Sequence, residues 1–180
     1  MPRNVLGIDP GSVSGAYAFL DAGTGAIIDV GDIPVVNRMV NAYEWAKLVA
    51  FWMPDLAVIE LVSAFPKQGV SSAFNFGMGC GLIQGAVAAN TIPMMHVSPS
   101  KWKKDMGLNS DGEKSRARAI SIWPQSIMLT NKKDHGRAEA LLLAKWYLDR
   151  WGVTPPEEAV SIDDPFHPGN RGFDGPGGAE

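Results

Sequence analysis

The stretch Val5-Leu6-Gly7-Ile8-Asp9-Pro10-Gly11-Ser12-Val13-Ser14-Gly15 decides the reading of this chain. An apolar run of strand length ends on a carboxylate, and the backbone turns at once through Pro10 and Gly11. A buried, unpaired charge costs several kcal/mol, roughly, so an acid at that place marks where a strand leaves the core. The pattern recurs in Leu56-Ala57-Val58-Ile59-Glu60. A third acidic group, Asp134-His135-Gly136-Arg137-Ala138-Glu139, opens the last amphipathic segment. Two strand ends and one helix start can gather carboxylate oxygens in one place, which is how a hard divalent cation is held. Metal-dependent phosphoryl transfer is the chemistry this points to.

Working outward, residues 5–9, 15–21 and 26–33 read as three strands of an antiparallel meander, with Ala22-Gly23-Thr24-Gly25 as a turn. A helix follows over 41–53, with Asn41 as its cap and Pro54 beyond its end. Strands at 56–60 and 92–97 alternate with helices at 71–89, 99–106, 113–122 and 134–150. Leaving aside the short helix at 99–106, the order β-β-β-α-β-α-β-α-α predicts an α/β fold, a mixed five-stranded sheet with helices on both faces. Ligand sites in such folds lie at strand ends. If the strands at 5–9 and 56–60 are parallel neighbours, Asp9 lies beside Glu60.

The chain has 180 residues and is 46% hydrophobic, enough for one domain with a real core. We expect that domain over 1–151 and a flexible, Gly/Pro-rich acidic tail over 152–180. The single cysteine, Cys80, rules out an internal disulfide and a cysteine-based zinc site. No apolar run reaches the ~18 residues of a membrane span, so we expect no membrane partner and a cytoplasmic setting.

Net charge is −3, but it is unevenly spread. Residues 99–150 hold 11 Lys and Arg against 6 Asp and Glu, whereas residues 151–180 hold 1 against 6. A basic segment beside a metal site suits a polyanion. Its candidates for phosphate contact are Lys101, Lys103, Lys104, Lys114, Arg116 and Arg118, around a Trp102 that reads as a packing residue. In the segment after Glu60, Phe65 is a candidate wedge against an unstacked base, and Lys67 and Gln68 are candidate backbone contacts.

On the last helix, His135 and Glu139 are four residues apart and share a face. Asp134 points roughly 140° away from Glu139 on an ideal helix, so it contributes from the first turn or caps it. The expected catalytic set is therefore Asp9, Glu60, Asp134, His135 and Glu139, with His135 preferred to Asp134 as the helix ligand beside Glu139. Mg²⁺ prefers oxygen ligands, whereas a histidine shifts preference toward Mn²⁺. A pair of ions in such a site would activate a water and stabilise the leaving oxygen.

Four stretches together carry a resemblance: Gly7-Ile8-Asp9-Pro10-Gly11 with Gly15, Val58-Ile59-Glu60, Ser98-Pro99-Ser100-Lys101-Trp102-Lys103-Lys104, and Gly136-Arg137-Ala138-Glu139-Ala140-Leu141. In this order they resemble RuvC-type Holliday junction resolvases of the RNase H-like superfamily, particularly short phage-encoded ones. The resemblance implies a homodimeric, Mg²⁺-dependent endonuclease. It would cut opposed strands of a four-way DNA junction, leaving 5′-phosphate and 3′-hydroxyl ends. It carries metal-ligand roles to Asp9, Glu60 and Glu139, and places a lysine such as Lys101 or Lys114 near the scissile phosphate. The family's remaining acid lies three or four residues before the last ligand, where this chain has Gly136 and His135.

Helix 71–89 bears Gly77, Gly79, Gly81 and Gly85, which weaken it by about 1 kcal/mol each relative to alanine. Close packing against another backbone, from its own sheet or a second subunit, would offset this, and a homodimer is expected. Two other classes stay open at this stage: a nuclease of other branched or hybrid nucleic acids, and an actin-like or sugar-kinase-like ATPase. The latter needs a second lobe, for which 180 residues without a repeat leave no room.

Overall fold

Alternating side chains on β1 (Asn4–Asp9) organise the molecule, because each face of that strand is covered by a different set of helices. The computed structural model describes residues 3–11, 15–63 and 69–152. After β1 come β2 (Ala16–Asp21), β3 (Ile27–Asp32), a small hairpin of β4 (Val35–Val36) and β5 (Met39–Val40), and α1 (Ala42–Trp52). Then follow β6 (Leu56–Glu60), α2 (Val70–Ala89), β7 (Met94–Val97), α3 (Pro99–Asp105), α4 (Gly112–Ile122) and α5 (His135–Trp151). Two short 3-10 turns, Ile127–Leu129 and Lys132–Asp134, lead into α5.

The sheet order is β3-β2-β1-β6-β7, with β1–β2 and β2–β3 antiparallel and β1–β6 and β6–β7 parallel. This is the mixed five-stranded sheet expected. Every residue of β6 is buried, as a central parallel strand covered on both faces requires. Val5, Ala18, Leu20 and Val58 face α5, together with Trp102 of α3 and Ala119 of α4. Leu6, Ile8, Ala57 and Ile59 face α1 and α2 through Trp45, Val49, Ile83 and Val87.

Asn41 caps α1 as expected, its Oδ1 accepting from the Glu44 N–H at 3.2 Å. Gly7 sets how closely α5 sits on the sheet. A Cβ there would lie 2.1 Å from the Ala140 carbonyl oxygen, so only glycine allows this approach. The β4–β5 hairpin was not expected, because its turn residues Asn37-Arg38 lack the glycine that usually signals one. No helix among the described residues is long and apolar enough to cross a membrane. The expected tail lies outside the described residues from position 153 onward.

Candidate active site

Parallel pairing of β1 and β6 runs through Ile8 opposite Ile59, so the next residues, Asp9 and Glu60, emerge side by side at the strand ends. The period of two puts both on the face shared with Gly7 and Val58, the face α5 covers. Glu139 comes down from the second turn of α5. One carboxylate oxygen from each of Asp9, Glu60 and Glu139 lies within 4.8 Å of the others. Among the described residues no other three Asp, Glu, His or Cys side chains converge so closely.

Each acid on the flank is held in place. The indole N–H of Trp102 donates to Oε2 of Glu60 at 2.7 Å. Oε1 of Glu139 accepts from the Lys103 ammonium at 2.8 Å and from the Ser115 hydroxyl at 2.9 Å. Burial, then the negative charges of Glu60 and Glu139, push the Asp9 carboxyl up to about 8, with Lys103 opposing them. Burial also raises Glu60, against the opposing Trp102 hydrogen bond and Lys103 charge. Three carboxylates facing one ammonium leave negative charge uncompensated, which adds to burial in raising Asp9. An all-oxygen donor set of this kind fits a hard divalent cation.

His135 departs from the expectation. It is exposed, its Nδ1 lies 3.4 Å from the Lys132 carbonyl oxygen, and it stands outside the carboxylate cluster. The reason is position along the helix, not phase. The line of α5 that meets the sheet runs through Gly136 and Ala140; a Cβ on Gly136 would sit 3.3 Å from Oδ2 of Asp9. His135 shares a side of α5 with Glu139 but lies one turn, about 6 Å, earlier along the axis, and packs toward α4, where a Cβ on Gly112 would meet its own Cβ at 3.1 Å. Asp134 is likewise outside the cluster. It is buried and accepts from the Asn131 N–H at 2.8 Å, closing the turn ahead of α5, with Arg137 3.7 Å away.

The basic candidates divide. Lys101, Lys104 and Lys114 are exposed and hold no ion pair among the described residues. Lys103 instead turns into the carboxylate cluster. Arg116 is committed within the fold, donating to the Leu129 carbonyl and to Glu113. Arg118 lines a groove with Asp105, Trp146 and Arg150. Trp146 is two turns past Glu139, so Arg118 is displaced from the cluster by about 10 Å of helix. Phe65, Lys67 and Gln68 lie outside the described residues. Trp102 is fully buried, as a packing residue should be, but its hold on Glu60 was not foreseen. Nor was Ser115, although its i,i+4 relation to Ala119 marks the buried stripe of α4.

No family model matches the chain. A RuvC crossover junction endodeoxyribonuclease from Thermomicrobium roseum is 28% identical over 151 residues, 79% of this chain and 91% of that protein. Another, from Nitratidesulfovibrio vulgaris, is 30% identical over 120 residues, covering 62% of this chain and 71% of the relative. This chain belongs to the RuvC family. The RuvC fold is shared at much lower identity. The Thermus thermophilus RuvC structure, in complex with a Holliday junction substrate, superposes with a TM-score of 0.63 at 16% identity, over 85% of this chain and 99% of that one. The fowlpox virus Holliday junction resolvase does so with a TM-score of 0.52 at 17% identity, over 81% and 98%. The five-stranded, RNase H-like sheet is thus common to the chain and its RuvC-like structural neighbours.

Proposed function

We propose that this chain is a structure-selective endonuclease that resolves four-way DNA junctions by metal-dependent phosphodiester hydrolysis, leaving 5′-phosphate and 3′-hydroxyl ends. The observation that carries the reading is the convergence of Asp9, Glu60 and Glu139 in an oxygen-only cluster, in a member of a family whose named relatives are crossover junction endodeoxyribonucleases. Asp9, Glu60 and Glu139 would hold two Mg²⁺ ions, with Mn²⁺ as a substitute. The ions would supply an activated water and charge stabilisation at the leaving oxygen.

The chain's own residues do the rest. Trp102 and Ser115 donate single hydrogen bonds that leave further lone pairs of Glu60 and Glu139 free to face the cleft. Lys103 balances part of the acidic charge from 2.8 Å beside Oε1 of Glu139, and its ammonium would serve as a phosphate contact at the cluster. Exposed Lys101, Lys104 and Lys114 supply salt-dependent, sequence-independent contacts to the backbone. A cytoplasmic setting belongs to the same proposal, because its DNA substrate is intracellular.

Symmetric cutting of two strands calls for two sites, and α2 supports a homodimer. The 20-residue helix carries no charged side chain. Phe74, Gly77, Gly81, Gly85 and Ala88 are exposed along one side, and a Cβ on any of those three glycines would meet nothing within 4 Å. Those glycines are therefore not packing against the chain's own sheet among the described residues. A second α2 approaching this stripe would offset the helix cost of its glycines.

The test is cleavage of a mobile four-way junction in Mg²⁺, Mn²⁺ and EDTA, with nicks mapped on all strands and Y-shaped, hybrid and linear duplexes alongside. Paired symmetric nicks that need metal and vanish in Asp9→Asn and Glu60→Gln are expected, with junction binding retained. Preferential cutting of hybrid or linear duplex would reject the assignment.

A further inference from the structure

The β4–β5 hairpin leaves the sheet at the carboxylate end. Asp9 pairs across β2 with Ala16, and Ala16 with Asp32 of β3, so the hairpin starts level with the site. It is tied down at its base. The Asn41 N–H donates to the Pro34 carbonyl at 2.8 Å, and buried Val40 stands 3.6 Å from the position of a Cβ on Gly79 of α2. Its tip is unusual. Asn37 and Arg38 both have positive φ, 51° and 62°. A two-residue turn of this hand favours Asn-Gly, and asparagine tolerates the first place. Arginine at the second is strained where glycine would be relaxed. Strain that persists at an exposed residue beside a site is a reason to look for a use of the side chain.

The position supplies one. Arg38 is exposed, holds no ion pair among the described residues, and lines a shallow hollow with Gly11, in the turn after Asp9, and Asn75 of α2. Residues 1–98 contain three other cations. Arg3 stands at the opposite end of β1, Lys47 pairs with Glu44, and Lys67 lies outside the described residues. The basic residues of α3 and α4 occupy the other face of the sheet. A polyanion entering an acidic site is repelled unless cations line its path, and among the described residues Arg38 is the one offered from the α2 side.

Building on the nuclease reading, we infer that Arg38 is a phosphate-binding residue: the hairpin presents it to the backbone of the DNA strand entering the site, opposite Lys101, Lys104 and Lys114. The strand is then gripped from both sides of the cleft. Arginine suits the task because its planar fork binds phosphate through paired hydrogen bonds.

The full-length protein and its Arg38→Gly, Arg38→Ala and Arg38→Lys variants test this through junction binding in EDTA across a salt series, with thermal melts in parallel. Arg38→Gly is the informative change, since it relaxes the turn while removing the charge. We expect an unchanged or higher melting temperature, about tenfold weaker junction binding, and a log–log salt slope shallower by about one. Arg38→Lys should keep the slope. Equal affinity and slope in Arg38→Gly would overturn the inference, as would a lower melting temperature, which would make the side chain structural. A wild-type protein that binds but does not cut junctions sinks the nuclease reading; one that cuts them while Arg38→Gly binds equally well sinks only the role of Arg38.

Discussion

Lys103 lies against Glu139 with its ammonium 2.8 Å from Oε1, and its side chain is only 12% exposed. It is also the cation that opposes the upward shifts of Asp9 and Glu60. In the metal-free protein Lys103 therefore stands in for part of the charge that divalent ions would bring.

Removing that ammonium should expose the imbalance. Lys103→Met is expected to destabilise the metal-free protein by about 2 kcal/mol, below the full cost of breaking a buried pair because the site opens to solvent. Urea melts in EDTA and in Mg²⁺ measure it; Mg²⁺ should restore most of the loss. Cleavage should stay impaired by at least about tenfold, since the phosphate-facing charge is gone. A variant equally stable in EDTA would show that Lys103 balances nothing.

The Asp9 carboxyl gives the protein a pH signature. Its ordinary value is 3.8 and the folded site raises it to about 8, so the folded chain binds a proton that the unfolded chain has released. Stability from this group is complete below about pH 3.8 and is lost as pH rises through about 8. Melting temperatures in EDTA should fall between pH 5 and 8.5, and Asp9→Asn should flatten that slope. Mg²⁺ favours the charged form, so its stabilising effect should grow over the same range. An equally steep decline in Asp9→Asn would assign the slope to other groups.

Gly7 tests how the site is assembled. Its alanine variant would place a methyl group 2.1 Å from a backbone carbonyl of α5, which no rotamer can relieve. Gly7→Ala should cost about 3 kcal/mol, the upper end of overpacking costs. It should also reduce cleavage by lifting Glu139 away from Asp9. Chemical denaturation and cleavage on one preparation check both; an unaffected fold would mean the helix can shift freely.

The α2 stripe makes the association prediction. Gly81→Leu puts a bulky side chain where the chain itself leaves open space, so the monomer fold should be kept. Light scattering after size exclusion should report a dimer for the wild type and a monomer for the variant. A monomeric wild type would remove α2 as the interface.

Strand ends were the readable part. Asp9 and Glu60 each terminate an apolar run, and the order of strands and helices made them parallel neighbours; hydrophobic period and turn residues are local signals, so both sites and the sheet could be anticipated. The hairpin at 35–40 was hidden because Asn37-Arg38 is not a glycine turn.

What the amino-acid order determined unaided is the alternation that brings two carboxylates to one end of a mixed sheet, with a glycine-rich uncharged helix beside them. Which face of α5 meets those carboxylates was decided only in three dimensions. Contact through Gly7 and Gly136 selects the phase that admits Glu139, while His135, one turn earlier on the same side, packs against α4 instead. Likewise nothing local distinguishes Lys103 from Lys104; the buried seat of Trp102 on Glu60 rotates one into the site and leaves the other in water. Local periodicity sets what a segment buries, but helix phase against a sheet depends on long-range packing that no short window of sequence contains.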